Sequence, residues 1–337
     1  MPRPVANPPN PWKSDQIDWE GEPPPAELTV YEETAKSILS ENDSPDIGFR
    51  FSVNPYRGCY HACAYCYARP THQYIDFGAG TDFDRRIVAK VNAPQLLRAA
   101  FERKSWSGET LIFSGVTDCY QPLEAAYRLT RGCLDVCLEF KNPVGIITKG
   151  AVIRRDIDVL SKLAVEASAR VALSIPFIDD ETGRLIEPYA SPISKRFETL
   201  RMMSDAGIRT TVMIAPVIPG LNDSMIPAIL ERARDAGADG AGLVLLRLPK
   251  EVLPVFDERI QAAMPQRASK IKSAILQMRG GKMNRAEFGK RMHGEGPRWS
   301  VIEDLFAAHT RRLGLNTDRI VAPASTFIRP TSQLSLF

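Results

Sequence analysis

Three cysteines crowd one short stretch, Asn54-Pro55-Tyr56-Arg57-Gly58-Cys59-Tyr60-His61-Ala62-Cys63-Ala64-Tyr65-Cys66-Tyr67. The C-x3-C-x2-C spacing of Cys59, Cys63 and Cys66 offers three thiolates on a single loop, which hold three corners of an iron-sulfur cubane where four would close it. An iron left without a cysteine takes an outside chelate, and the amino and carboxylate groups of S-adenosylmethionine (SAM) suit that position. Electron transfer from such a cluster into the sulfonium would release a 5'-deoxyadenosyl radical, hard chemistry of the kind proteins delegate to cofactors. The competing reading is a zinc site completed by His61 or by a remote Cys119, Cys133 or Cys137. Zinc ligands usually arrive as two paired sets, however, and no second pair follows at finger spacing. No local fourth cysteine follows either, as a purely electron-transferring centre would need.

The chain that must position this loop has 337 residues, 44% of them apolar and 25% charged. That fits one large domain with tails or two modest ones, and excludes wholesale disorder, collagen and disulfide miniproteins. The balance of 43 Lys+Arg against 40 Asp+Glu gives +3, too even for net charge alone to argue for nucleic acid. No apolar run approaches the roughly 20 residues of a membrane span, and the start lacks an apolar signal segment. A cytoplasmic protein is expected, and in a reducing compartment six cysteines with three clustered point to metal or redox chemistry before disulfides.

Residues 1–28 hold eight of the 26 prolines and read as an extended arm. Six β-branched runs, at 49–54, 110–115, 144–149, 170–176, 209–218 and 240–248, alternate with amphipathic stretches at 94–104, 123–140, 154–166, 194–206 and 224–236. The stretches are long enough for right-handed crossover helices. Strand then helix, repeated throughout, predicts an α/β protein. Polar residues at successive strand ends favour a partial (β/α)6 TIM-like barrel over residues 29–250, rather than a doubly wound sheet, with the site at the C-terminal ends of the strands. Helices alone are expected afterwards, at 252–264, 267–278, 285–292 and 299–313, forming a C-terminal extension over 251–315. A flexible tail is expected over 316–337.

A cysteine loop of this spacing at the end of the first strand of a six-unit α/β pattern resembles the radical SAM superfamily. The strings Asn-Pro-Tyr-Arg-Gly-Cys, Cys-Tyr-Ala-Arg and Ser114-Gly115-Val116-Thr117-Asp118-Cys119-Tyr120-Gln121-Pro122-Leu123-Glu124 resemble its spore photoproduct lyase-like, DNA-repair branch. The resemblance implies a 4Fe-4S cluster on Cys59, Cys63 and Cys66, bound SAM, and an electron donor such as flavodoxin or ferredoxin. It implies Tyr67 near the adenine, where stacking of an aromatic on a base is physically reasonable. It also implies Lys149 and Ser174, at the ends of the third and fourth strands, for the SAM carboxylate. A Lys ending the apolar run Ile146-Ile147-Thr148 is odd as packing, and a carboxylate partner would explain it; the plainer reading is a solvated strand end, with Ser174 as filler. Ala215 opens the turn Ala215-Pro216-Val217-Ile218-Pro219-Gly220, which either brings backbone to the adenine edge or leads simply into a helix capped by Asn222. Ser114-Gly115 stands where the superfamily has Gly-Gly-Glu for the SAM amino group, so backbone carbonyls would have to serve there.

Cys119, just past the second strand, has a thiol able to quench a product radical by giving up a hydrogen atom, as a cysteine at the end of this strand does in that branch. Otherwise it is a buried free cysteine. Cys133 and Cys137, spaced i, i+4 among Leu129, Leu134 and Leu138, read as core. Asp118 reads as a SAM or substrate ligand, or as a turn former. Gly280-Gly281-Lys282 is followed by Met283 and fails the phosphate-loop pattern.

Between Arg267 and Arg298 there are nine Lys+Arg and two Asp+Glu. With Phe288 and Trp299 for stacking, this segment fits either a nucleic-acid backbone or a solvated helical face. The end, Gln333-Leu334-Ser335-Leu336-Phe337, resembles the pentapeptide with which bacterial replication and repair proteins dock on the sliding clamp, and the alternative is an apolar end returning to the barrel. The expected function is a radical SAM enzyme acting on damaged DNA in a lyase or repair-like reaction. Modification of a protein or small molecule, and non-catalytic metal binding, are the competing readings.

Overall fold

The computed structural model describes residues 27–317 and 325–330. Its strands are β1 (Thr29–Glu33), β2 (Leu39–Glu41), β3 (Phe51–Val53), β4 (Tyr56–Arg57), β5 (Arg86–Lys90), β6 (Leu111–Phe113), β7 (Val144–Thr148), β8 (Ala169–Ser174), β9 (Arg209–Val217) and β10 (Gly240–Leu245). All six β-branched runs appear among them. They form a parallel sheet in the order β10-β9-β8-β7-β6-β3, with β2 added antiparallel at the β3 edge. Strands such as Val144–Thr148 are apolar nearly throughout because helices cover one face and the barrel interior the other.

The helices are α1 (Thr81–Arg85), α2 (Ala93–Glu102), α3 (Glu124–Tyr127), α4 (Leu129–Glu139), α5 (Ile157–Glu166), α6 (Asp180–Ile186), α7 (Ile193–Asp205), α8 (Ile226–Asp235), α9 (Val252–Ala263), α10 (Pro265–Met278) and α11 (Pro297–Arg312). Crossovers α2, α4, α5, α7 and α8 bury their apolar stripes; on α5 these are Val159, Leu160 and Leu163. None of the described helices is long and apolar enough to cross a membrane.

The sheet curls into a partial (β/α)6 barrel rather than lying open. The Tyr67 hydroxyl donates to the Gly115 carbonyl beyond β6 at 2.7 Å, while the Arg247 guanidinium beyond β10 lies 5.3 Å from the centroid of the same ring. The gap between the two sheet edges is bridged by residues 289–292. Leu245 N–H, on β10, donates to Met292 O at 3.0 Å, and Gly289 N–H donates to Asp46, between β2 and β3, at 2.6 Å.

Several local expectations are corrected. The stretch 123–140 is two helices, because Arg128 adopts left-handed backbone (φ 53°) and the Glu124 carboxylate turns inward to accept Thr130 N–H (3.1 Å) and Arg131 N–H (3.2 Å), capping α4. The helix expected at 285–292 is a loop: buried Arg279 draws the carbonyls of Lys290, Arg291 and His293 around its guanidinium at 3.0 to 3.4 Å, and Gly289 (φ 77°) turns the chain. Asn222 caps no helix. Its side chain accepts from Ile218 N–H (2.6 Å) and donates to Pro176 O (2.7 Å), tying the turn after β9 to the end of β8. The tail is not loose where it is described: Ile328 N–H donates to Phe140 O at 2.9 Å and Phe327 stacks on Phe140 with centroids 6.0 Å apart. Most of the proline-rich arm lies outside the described residues. A second sheet, β1-β5-β4, and helix α6 are additional to the expected elements.

Candidate active site

The cysteine loop begins at a glycine for a steric reason. Gly58 has φ +75°, and a Cβ there would meet the Phe83 carbonyl and Ile87 Cδ1 at 2.9 Å. Cys59 N–H then donates to Phe83 O at 2.9 Å. Arg69, fully buried, anchors the loop from below: it donates to Ala79 O (3.1 Å), Gly80 O (2.8 Å), Cys63 O (2.9 Å) and Asp84 (2.8 Å). Gln121 accepts Tyr60 N–H at 2.8 Å and donates to Gly58 O at 3.2 Å. Arg259 of α9 reaches the Ala62 carbonyl and Asp84. The end of α6 and the segment after it close the far side, with Ala64 N–H on Ile186 O (2.9 Å) and Tyr189 N–H on His61 O (3.3 Å).

Cys59 and Cys63 are buried and Cys66 is half-buried. Burial pushes all three thiols up, Cys63 to about 12. Lys149 and Arg196 oppose that shift at Cys63, and Arg69 and Lys149 oppose it at Cys66. Such thiols stay protonated until a metal's charge inverts the balance. Among the described residues no three His, Cys, Asp or Glu side chains close to a single ion's ligand cage, which zinc-sulfur bonds of about 2.3 Å would demand. His61 is engaged elsewhere, its Nδ1 lying 3.4 Å from Asp118. Cys133 and Cys137 are fully enclosed on α4, in the core. The donor set therefore fits three corners of a larger cluster better than one zinc ion.

Asp118 joins this loop to the sheet. Its carboxylate accepts the Thr148 hydroxyl at 2.6 Å, Tyr120 N–H at 2.9 Å and Lys149 N–H at 2.7 Å, besides facing His61. Burial raises its pKa, and the His61 ring, the Thr148 hydroxyl and the Lys149 N–H more than offset that, holding the carboxyl well below the usual range. With these contacts made, Asp118 positions the ends of β6 and β7 rather than offering oxygens to a ligand. Asn54 does similar work, its Oδ1 accepting Gly115 and Val116 N–H at 3.0 Å each.

Lys149 presents its ammonium to the space above the loop. Its Nζ lies 5.7 Å from the Tyr65 ring centroid and makes no hydrogen bond or ion pair among the described residues. Burial lowers its pKa, but Glu187, Cys63 and Asp118 outweigh this and leave it raised. Thr148 pairs with Leu173, so the next positions, Lys149 and Ser174, lie side by side, and Ser174 pairs with Met213 two residues before Ala215. Behind them Arg196 ion-pairs with Glu187 at 2.5 Å, both buried, and donates to Ser174 O at 2.9 Å. The Tyr65 hydroxyl hydrogen-bonds Glu187.

Tyr67 reaches from the cysteine loop to the Gly115 carbonyl, at the strand end carrying Ser114. Ser114 has φ +74°, and its hydroxyl accepts Cys119 N–H at 2.9 Å. Cys119 itself does not reach the cleft. It is 0% exposed, enclosed in the core beneath that turn. The basic segment is corrected as well. Six of its nine cations are engaged: Lys272 with Asp257, Arg285 with Glu295, Lys290 with Glu287, Arg291 with Asp46, Arg298 with Asp223, and Arg279 with carbonyls. Trp299 is buried; Phe288 is exposed. Sequence reasoning missed Asn54, Arg69, Gln121, Glu187, Arg196, Arg247 and Arg259. Of these Asn54, Arg69 and Gln121 lay within strings that drew notice, but none was assigned a role.

Comparisons with known proteins agree with this geometry. An uncharacterized protein of Mycobacterium bovis (strain ATCC BAA-935 / AF2122/97) is 38% identical over 224 residues, which cover 66% of this chain and 66% of that one, so the chain spans just under two thirds of that relative. An uncharacterized protein of Methanocaldococcus jannaschii is 29% identical over 198 residues, covering 59% of this chain and 71% of the relative. A solved spore photoproduct lyase complexed with dinucleoside spore photoproduct shares the fold, with a TM-score of 0.60 at 14% identity over 85% of this chain and 80% of that one. The radical SAM superfamily model matches residues 53–233. That match covers more than half of the chain and takes in the cysteine loop and four of the six parallel strands, β6 to β9, so this protein belongs to the radical SAM superfamily, enzymes that bind a 4Fe-4S cluster and S-adenosylmethionine.

Proposed function

We propose that Cys59, Cys63 and Cys66 hold the 4Fe-4S cluster by three irons, that the fourth iron takes SAM, and that the resulting radical acts on damaged nucleic acid in a lyase or repair-like reaction. The observation that carries the cofactor assignment is the pairing of three thiols on one loop, two buried and one half-buried, with the Lys149 ammonium, unpartnered among the described residues, beside Ser174. When bound, the cluster supplies one electron to the SAM sulfonium, breaking a carbon-sulfur bond to give methionine and a 5'-deoxyadenosyl radical. The chain's own residues bind and orient. Lys149 and Ser174 take the SAM carboxylate, carbonyls at Ser114 and Gly115 take its amino group, and Tyr67 with the backbone near Ala215 flanks the adenine. Radical SAM enzymes need an electron donor, and a flavodoxin or ferredoxin supplies the electron. Support for nucleic acid is the shared fold with a lyase complexed with a dinucleoside, together with the clamp-like pentapeptide 333–337, which lies outside the described residues.

Anaerobic reconstitution tests the cofactor half: one cluster per chain by iron and sulfide analysis, and 5'-deoxyadenosine on reduction with SAM. Replacing any of the three cysteines by Ala abolishes both; stoichiometric zinc without sulfide overturns the reading. Product analysis with damaged and undamaged oligonucleotides tests the substrate half, and turnover of a peptide or metabolite instead would replace it.

A further inference from the structure

Two arginine-aromatic stacks stand at the rim of the barrel, and neither guanidinium is among the groups assigned to SAM, although Arg247 backs the Tyr67 ring. Arg247, just beyond β10, lies half-buried over Tyr67, and its guanidinium makes no hydrogen bond or ion pair among the described residues. Arg291 lies over Phe288 at 4.5 Å and is ion-paired to Asp46, whose other oxygen accepts Gly289 N–H. Asp46 is thus committed to the bridging loop, which leaves Arg247 as the cation facing the mouth. Around it the rim is apolar and wet at once: Tyr67 is 49% exposed, Phe288 59% and Val116 36%.

A guanidinium fixed on a ring with its donors open calls for an anion with two oxygens in one plane, a carboxylate or a phosphate. The exposed rings decide between them. Arginines alternating with aromatic faces are how proteins track a single nucleic-acid strand, charge on the backbone and rings on the bases, whereas an acidic peptide has no use for two exposed rings. We propose that Arg247 grips a phosphodiester beside the reacting nucleotide while Phe288 stacks on a neighbouring base. This rests on the nucleic-acid reading of the same site and adds its specificity contacts. The strand is held from the β10 side of the rim, where Arg247 meets Tyr67 at the end of the cysteine loop.

The test is fluorescence anisotropy of a labelled single-stranded oligonucleotide on reconstituted enzyme with SAM, across roughly 50 to 200 mM salt. Arg247→Gln weakens binding about 10- to 100-fold and lowers the logarithmic salt slope by about 0.7, and Phe288→Ala weakens it about tenfold without changing the slope. Iron content stays at the wild-type value in both, and Phe288→Ala keeps wild-type SAM affinity. A single neutral methylphosphonate at the contacted linkage costs the wild type the same factor and costs Arg247→Gln nothing more. Wild-type binding with an unaffected Arg247→Gln and an unchanged slope overturns this inference alone. Displacement of the oligonucleotide by an acidic peptide in a manner that depends on Arg247 overturns it in favour of that ligand. No saturable binding by the wild type overturns the nucleic-acid reading as well.

Discussion

Asp118→Asn exposes how the cysteine loop is coupled to the SAM side of the barrel. One carboxylate oxygen serves Thr148 (2.6 Å) and Tyr120 N–H (2.9 Å), the other Lys149 N–H (2.7 Å) and His61. An amide has one acceptor oxygen, and either way round its NH2 faces a backbone N–H. The change therefore removes a charge-assisted hydrogen bond, about 1.5 to 3 kcal/mol, and leaves a buried donor unpaired, about 1 to 3 kcal/mol. Because the two are not fully additive, about 3 kcal/mol is expected. Unfolding entropy for a protein of this size is roughly 0.6 kcal/mol/K, so Tm falls by about 5 °C. With the Lys149 backbone released, SAM affinity drops about tenfold. Cluster iron and sulfide persist, since Arg69, Gln121 and Arg259 still hold the loop. Differential scanning fluorimetry, metal analysis and SAM titration report the three quantities. A Tm within about a degree of wild type together with unchanged SAM affinity would refute the coupling.

Lys149→Ala is expected to weaken SAM binding about 10- to 100-fold, the worth of one charge-assisted contact, with cluster content unchanged; equal affinity by titration returns Lys149 to a solvated strand end. His72, enclosed and bonded to Arg86 O at 2.8 Å, has its pKa lowered by burial to about 4. Below the unfolded value of about 6.5 the unfolded chain takes a proton the folded one refuses, so stability falls from pH 7 toward 4, by about 2 kcal/mol at pH 5. Denaturant midpoints at both pH values should show His72→Gln lacking that share of the decline. If residues 333–337 dock on a clamp, a peptide of that sequence binds it saturably, and Leu336→Ala or Phe337→Ala costs about 2 kcal/mol, roughly thirtyfold; fluorescence titration with purified clamp decides.

The six parallel strands were legible because each is a short run rich in apolar and β-branched residues, a pattern that survives without any long-range information. The cysteine loop was legible because its chemistry lies in spacing along the chain. Lys149 and Ser174 stood out as polar residues closing apolar runs. Glu187 and Arg196 did not, because a lone polar residue carries no signal until the fold shows which carbonyl or carboxylate it meets. The same limit explains the basic segment: Arg291 pairs with Asp46, 245 residues away, and Lys272 with Asp257, so a linear count of charge overstated what remains for a ligand. The expected helix at 285–292 failed for a related reason, its carbonyls being claimed by Arg279.

Arg259 also fixes an order of events in synthesis. It grips the Ala62 carbonyl from 197 residues downstream, so that contact cannot form until most of the chain has been made. At roughly 5 to 20 residues per second the interval is about 10 to 40 s. During that time the three thiols lack the clasp from α9, while Arg69, only six residues beyond Cys63, is already available to shape the loop. In a nascent chain the cysteine loop is therefore shaped by Arg69 well before Arg259 fastens it from α9.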